Sequence, residues 1–374
     1  MSTICLAVIS KQNQPQMHMQ PPQTTHTTLG VSSSKRENVT VSLQRESNLS
    51  ACPDLKDIPG LVSDRKMLLT EEFSMTHLES VMCPNQPSRL GKVSAEGMRL
   101  LLRSENPNMT RSIVGLGSQV RAQCADYVYL PGGHWRPASC KPRWKVAIVV
   151  PYRNRIFQLS IFLRYMIPFL QKQQLEFAIY IVNQANDEPF NRGMLLNIGF
   201  TEALKFAQWD CFVFHDVDHL PQNEANPYGC VNLPRHFISG ADNRNYKVPY
   251  STSFGGVTGF TTVQYQDING FGNVYWGWCC EDDDLEQRVR IRKLHKTRNK
   301  GNIGYYRAIT TNHHKSKEGL SNLEKLNREA LRSSMKRFKT DGLSNLHYKL
   351  RHLELATLYT NISVDIWRTQ PKMP

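Results

Sequence analysis

The residues best suited to chemistry lie in the middle of the chain, in acidic and basic clusters. Asp216-Val-Asp218 follows a short apolar run, Cys211-Phe-Val-Phe214. Two carboxylates just beyond a buried strand are costly unless they face solvent, a cation or a basic partner. Carboxylate oxygens are hard ligands that suit magnesium or manganese. A divalent ion held there could bridge a diphosphate and neutralise the charge that develops as it leaves. The plainer alternative is a solvated turn. Arg153, Arg155 and Arg192 fall in neighbouring loops, and guanidinium groups bind phosphate oxygens in pairs. Singly each reads as surface charge; three beside an acidic motif read as a phosphate site.

The most unusual stretch is Trp276-Gly-Trp278, then Cys279-Cys280, then Glu281-Asp-Asp-Asp284. Four consecutive acids repel one another, so at least one needs a raised pKa or a nearby cation. Carboxylates beside indole rings suit a cleft in which a sugar ring stacks on tryptophan. The same acids also suit a helix N-terminus, where they complement the dipole; the two readings are compatible. Phe254-Gly-Gly-Val257 offers close backbone approach to a ligand, or a tight turn. His313-His314 reads as exposed polar residues or, with Asp218 needing a partner, as a source of one metal ligand.

These residues need elements to position them. Residues 146–150 form a β-branched apolar run that predicts a buried parallel strand. Residues 159–170 and 194–207 read as helices, and 175–182 and 211–214 as further strands. A helix is expected over 285–294. Strand and helix alternate, which predicts an α/β sheet with crossover helices and a ligand site beyond the carboxyl ends of the strands. No GxGxxG opens a helix, so a dinucleotide fold is disfavoured. Residues 12–50 are rich in Gln, Thr, Ser and Pro and carry few large apolar side chains. Such a segment cannot bury enough surface to offset its ordering entropy.

Hydrophobic residues make up 40% of the chain and the formal charge is +14. A basic surface attracts phosphates, nucleic acid, anionic membrane or acidic glycans, or is simply a solvated face. The densest basic stretch, 288–300, has no interleaved aromatics for stacking bases. There is no zinc-finger spacing and no basic zipper, so no nucleic-acid partner is expected. None of the nine cysteines forms a CxxC pair, which argues against structural zinc. Their odd number leaves at least one free or paired with another chain. Asn38, Asn48, Asn108 and Asn361 each begin an Asn-x-Ser/Thr sequon, a lean toward the secretory pathway. The apolar run 4–9 is far shorter than the ~20 residues that span a bilayer, and it lacks signal-peptide character. Taken literally, nothing in the sequence carries the chain into a lumen.

Taken together, the motifs resemble the beta-1,4-galactosyltransferase family from about residue 83 to residue 365. They are Pro151-Tyr-Arg-Asn-Arg155, Asn183-Gln-Ala185, Phe190-Asn-Arg192, Leu195-Leu-Asn-Ile-Gly-Phe200, Cys211-Phe-Val-Phe214, Asp216-Val-Asp218, Pro234-Arg-His236, Phe254-Gly-Gly-Val257, Ile268-Asn-Gly-Phe271, Tyr275-Trp-Gly-Trp278, Glu281-Asp-Asp-Asp284 and Asp341-Gly-Leu343. The resemblance implies an α/β GT-A type nucleotide-sugar-binding fold with a mixed, largely parallel central sheet. A disordered stem is expected over 1–80, the N-terminal part of the glycosyltransferase domain over 81–144 and the catalytic core over 145–366. It implies an inverting, manganese-dependent transferase that moves a sugar from UDP-Gal or UDP-GalNAc to the 4-hydroxyl of a GlcNAc-terminated acceptor on glycoprotein or glycolipid. Membrane association and a Golgi location are implied as well. Donor binding is implied for Pro151, Tyr152, Arg153, Asn154, Arg155, Phe190, Asn191, Arg192, Asp216, Val217, Ser253, Gly256 and Trp278. Metal binding is implied for Asp218. Acceptor contacts are implied for Cys279, Cys280, Glu281, Asp282, Asp283 and Asn322, with Asp282 as the base and Glu281 beside it. The implied disulfides are Cys83–Cys140 and Cys211–Cys230.

Three positions depart from the family pattern. Cys279-Cys280 stands where the family has Gly-Gly, and cysteines restrict the positive φ that glycines allow. The pair could also close into a vicinal disulfide, a strained ring. The family's Met-x-x-His is broken. Counting from Arg307 puts Thr311 at the histidine, whereas counting back from Asn322 puts His313 there; His313 is preferred and His314 adjoins it. Ser253 replaces a tyrosine of galactose-using members and leaves room for an N-acetyl group, so UDP-GalNAc is expected to serve at least as well as UDP-Gal. The rival reading is a catalytically impaired member that binds UDP or glycan without turnover.

Overall fold

A computed structural model describes residues 49–65, 75, 77–78, 95–103, 122–124, 126–309 and 319–368. The β-branched run becomes strand β4 (Lys145–Tyr152), with Val146 through Val150 wholly buried. It lies parallel to β5 (Glu176–Gln184) and to β6 (Cys211–His215). Both faces are covered, which is why the run shows no polar alternation. Val146, Ile148 and Val150 join a core with helix α2 (Ile156–Lys172). Ala147 and Val149 join a second core with helix α3 (Arg192–Phe206). Successive side chains of a strand point to opposite faces, so one short run serves two cores.

The sheet grows outward from these strands. The free edge of β5 is divided. Its first half pairs antiparallel with β3 (His134–Pro137) and its second half parallel with β14 (Thr360–Asp365). Beyond β3 lie β2 (Tyr127–Leu130) and β1 (Ala122–Cys124), and β13 (Lys349–Leu355) forms a hairpin with β14. On the other side β6 pairs antiparallel with β10 (Val257–Thr261), followed by β8 (Arg235–His236) and β11 (Thr297–Arg298). The sheet is therefore mixed, with parallel strands at its centre and antiparallel flanks. A small second sheet orders β7 (His219–Pro221), β12 (Tyr305–Ala308) and β9 (Gly240–Ala241). Among the described residues no helix is long and apolar enough to cross a membrane.

The expected stem is corrected over 49–65, which runs as a strap along the body. The backbone N–H of Cys52 donates to Lys141 O and that of Lys141 to Ser50 O, both at 2.8 Å. The N–H of Arg65 donates to Gln222 O, and that of Glu224 to Val62 O. Cys52 closes a disulfide with Cys140. This corrects the expected Cys83–Cys140 pair; Cys83 itself lies outside the described residues, as do residues 1–48. Composition weighs apolar content, whereas this strap is held by backbone hydrogen bonds and one covalent link, which composition does not register. The Cys211–Cys230 disulfide is present as the resemblance implied.

Cys140→Ser is expected to lower stability by about 2–4 kcal/mol, because the link restricts the unfolded chain. Peptide mapping without reductant is expected to recover residue 52 joined to residue 140. A linked 83–140 peptide would contradict the pairing.

Candidate active site

The ends of β4 and β5 deliver two loops to one place. Pro151 is still inside β4, opposite Val182, and Tyr152 is half-buried against the core below. Arg153 donates through Nη1 to Glu188 O at 2.7 Å and stacks over the Phe190 ring at 5.3 Å. Burial lowers its pKa. Asn154 turns the chain with φ of 51° and is exposed. Arg155 stands at the N-terminus of α2. Asn191 has a structural part here. Its Oδ1 caps α3 by accepting from Met194 N–H at 2.9 Å, and its Nδ2 donates to Asn273 O. It is wholly buried, and these two bonds of its amide fix the start of the helix.

Arg192, the first residue of α3, holds the site together. Its Nε donates to Asp216 Oδ1 at 2.7 Å and its Nη1 to Asp282 Oδ1 at 2.8 Å. Glu281 Oε1 lies 3.8 Å from the same Nη1. The sequence reading gave Arg192 to phosphate alone; in the structure it bridges the two acidic motifs. Its Nη2 is buried and has no hydrogen-bond partner among the described residues, a donor left over for a bound anion. Burial opposes the guanidinium charge, but Asp216, Asp282 and Glu281 outweigh it and keep Arg192 firmly protonated. For Asp282 burial dominates. Arg192 pulls its pKa down while Glu281, Asp216 and Asp283 push it up, and the balance leaves it raised to about 8. Glu281 is raised too, chiefly by burial.

The four acids open helix α5 (Glu281–Ile291) and separate as the helix turns by about 100° per residue. Glu281 and Asp282 face Arg192. Asp283 accepts from Tyr250 Oη at 2.6 Å. Asp284 goes into the core, where Arg288 Nε donates to it at 2.5 Å, and Tyr275 and Ser334 donate as well. A run that reads as one acidic patch is thus two site acids, one loop anchor and one buried structural acid.

Asp216 and Asp218 follow β6. The Asp216 N–H donates to Gly256 O at 2.9 Å, and Val217 is buried between the two acids. Asp218 Oδ1 accepts from Nδ1 of His219 at 2.8 Å. Asp216, Asp218 and His219 can each offer a ligand atom within 4.8 Å of the others. Two carboxylates and an imidazole fit a divalent cation such as manganese. His219 was missed in the sequence because the third ligand was sought far along the chain, although the residue after Asp218 was the signal. Burial opposes protonation of His219, but Asp218 and Asp216 prevail and its pKa is raised. Ile309 N–H donates to Asp218 O, so the chain leaving β12 passes this site. Thr311, His313 and His314 lie outside the described residues.

The glycines of Phe254-Gly-Gly-Val257 are needed for space and conformation. A Cβ on Gly255 would lie 2.1 Å from Asp282 Oδ2, and Gly256 has φ of 78°. Ser253 is buried in the same segment. Across the cleft, Trp278 is 63% exposed, open to cover a ligand. Cys279 and Cys280 form a vicinal disulfide. Their φ values, 91° and 87°, are those the sequence reading reserved for glycine, a cost of about 1–3 kcal/mol each. Asn327, on α6 (Gly319–Arg332), donates to Trp276 O at 2.9 Å and Trp278 O at 3.0 Å, and reaches Cys279 O at 3.4 Å. Asn322, on the same helix, is exposed. Asn327 was not singled out in the sequence, since a lone asparagine in an amphipathic helix carries no signal.

Comparisons with known proteins show what the chain resembles. Residues 111–231 match the family model described as the N-terminal region of glycosyl transferase group 7. Residues 235–315 match that described as the N-terminal domain of galactosyltransferase. The chain is 51% identical over 236 residues to human beta-1,4-galactosyltransferase 6, covering 63% of this chain and 60% of the relative. It is 48% identical over 300 residues to pig beta-1,4-galactosyltransferase 5, covering 80% of this chain and 71% of the relative. Among solved structures, the catalytic domain of Drosophila beta-1,4-galactosyltransferase 7 with xylobiose superposes with a TM-score of 0.51 at 28% identity, over 60% of this chain and 94% of that one. A mutant of that enzyme, with the same similarity, was solved with manganese, UDP-Gal and xylobiose.

Two outcomes follow from the geometry. If Asp282 acts as a base, kcat/KM should rise with pH along a limb centred near 8, since the carboxyl is protonated below that value. Arg192→Met should move the limb to higher pH, and an unmoved limb would remove Arg192 from the account. Gly255→Ala should cut kcat about 10–100-fold while the melting temperature stays near wild type, because a misplaced group in a reacting geometry is costly.

Proposed function

Because the chain belongs to the beta-1,4-galactosyltransferase family, we propose that it transfers galactose or N-acetylgalactosamine from a UDP-sugar to the 4-hydroxyl of a GlcNAc-terminated glycan, with inversion. The observation that carries this reading is Arg192, bonded at once to Asp216 of the metal motif and to Asp282 of the acidic helix. That bridge would set a residue suited to a metal-bound diphosphate and a residue suited to a base beside one another.

In this reading Asp218, with His219 and His313, would hold manganese, which would supply positive charge to a departing diphosphate. Arg153, stacked on Phe190, and the spare Nη2 of Arg192 face the donor phosphates. Asp216 and Val217 line the nucleotide site. Ser253 and Gly256 border the donor sugar, and Trp278 covers it. Asp282 takes the proton from the acceptor hydroxyl, and its raised pKa suits that task near neutral pH. Glu281 and Asp283 border the acceptor. The buried side chain of Ser253 leaves room for an N-acetyl group on the donor. Disulfides persist in oxidising compartments, so the three bridges among the described residues support a Golgi-lumen location. A membrane attachment follows from the family alone.

One observation favours binding without turnover. The Cys279–Cys280 bridge sits at the residue before Glu281, where the family keeps two glycines. Release of UDP from UDP-Gal and UDP-GalNAc, with a GlcNAc acceptor and with manganese present or chelated, decides between the readings. Turnover is expected with both donors, to be lost on chelation, and to fall about 10²–10⁴-fold in Asp282→Asn, the range typical of a general base. Ser253→Tyr is expected to favour UDP-Gal. Absence of turnover in wild type together with activity in the Cys279→Gly/Cys280→Gly double variant would support the impaired reading.

A further inference from the structure

The segment 250–255 carries Ser253 and touches Asp282, yet it belongs to neither a strand nor a helix. It is held from one side by two cations, Lys296 just before β11 and Arg298 at its end. Arg298 Nη2 donates to Ser253 O at 2.5 Å and to Ser251 O at 3.3 Å. Lys296 Nζ donates to Thr252 O at 2.6 Å and lies 5.5 Å from the centre of the Phe254 ring. The third Arg298 contact runs through His236. Its Nε donates to His236 Nδ1 at 2.8 Å, and His236 Nε2 lies 2.8 Å from Gly255 O. The proton placement is forced by the partners. Arg298 has only protons to give, so Nδ1 must be bare and Nε2 must carry the hydrogen that Gly255 O accepts. A neutral imidazole is therefore built into the contact. His236 also meets the Phe254 ring edge-on at 5.7 Å. At the far side of the segment a Cβ on Gly255 would strike Asp282, so the segment's backbone packs directly against that carboxylate.

We propose that Arg298, acting through His236, is a positioning residue that sets the segment 250–255 against Asp282 and thereby governs which donor sugar is accepted. The inference rests on the transferase reading above, and it deepens it by naming a residue that touches neither substrate nor metal. Arg298 lies in β11, beyond the end of the helix that carries the acids, and it acts by two hydrogen bonds to carbonyls plus one to a ring nitrogen. Loss of its fork frees the carbonyls of Ser251 and Ser253 and removes the acceptor requirement on His236. The groups facing His236 are Arg298, Lys296 and His219; together with burial they keep its pKa low, about 3.

The test uses Arg298→Gln and Arg298→Lys, with exposed Arg292→Gln as a control. Amide hydrogen exchange over 250–256, UDP affinity by calorimetry with manganese, and kcat and KM for UDP-Gal and UDP-GalNAc are read in each. Both Arg298 variants are expected to exchange about 10-fold faster in that segment, since a segment with fewer anchors opens locally more often and exposes its N–H groups. UDP affinity should stay within about twofold, kcat should fall about 10–100-fold, and the ratio of kcat/KM for the two donors should change about fivefold, as displaced positioning groups cause. Lysine keeps the charge without the planar fork and is not expected to rescue. Unchanged exchange, or a uniform loss across both donors, overturns the inference. Nitrogen NMR of the wild-type His236 ring stands independent of variant folding: a neutral ring protonated at Nε2 from pH 5 to 8 is expected, and a titrating ring or the opposite tautomer overturns it. Should wild type turn over neither donor, the transferase reading fails, while exchange and ring NMR still decide the role of Arg298.

Discussion

Arg192 is a buried cation among three acids, and the arrangement of the cleft depends on it. A charge taken out of water must be paired, and losing a partner leaves the others uncompensated. That cost ties the metal motif after β6 to the acidic helix α5, two segments distant in sequence, through hydrogen bonds of 2.7 and 2.8 Å. The pairing also sets the chemistry. Burial drives Asp282 toward neutrality and the guanidinium draws it back, which leaves a carboxyl titrating near neutral pH. Arg192 can stand there because α3 is capped at Asn191, and Asn191 is locked in turn by Gln184 and Asn273.

The rest of the cleft is shaped by how closely backbone can approach these charges. Gly255 places main chain against Asp282 with no room for a methyl group. On the opposite wall, Asn327 gathers the carbonyls of Trp276, Trp278 and Cys279, and two cysteines take up glycine-like φ values. Rigid elements supply the position and short irregular segments supply the contacts, which is the usual division between a scaffold and its loops.

The buried polar layer beneath the tryptophan turn serves the same end. Asn197 donates to Phe271 O and to Asn273 Oδ1, and Asn273 donates to Gly342 O. Asp341 accepts from Asn273 N–H and lies near Arg288, which is paired with Asp284. Every one of these groups is costly to bury alone, so the network fixes 269–276 against α3 and α5 together. Asp284, drawn inward by Arg288, orients the helix whose first turn presents Glu281 and Asp282 outward.

The sequence by itself determined the strands over 146–150, 175–182 and 211–214, the helices between them and the acidic helix, because apolar periodicity is a local property. It also determined which residues gather at the strand ends, since α/β topology places loops there. Tertiary structure alone decided that Arg192 joins two carboxylate motifs, that Asn191 caps α3, that Asp284 leaves the acidic run for the core, and that His219 stands beside Asp218. It decided as well that Cys52 rather than Cys83 meets Cys140, and that Asn327 gathers the carbonyls of the tryptophan turn. The reason is common to all of these: a polar side chain's role is set by which partner arrives when distant segments pack, and residue type and spacing do not encode that distance.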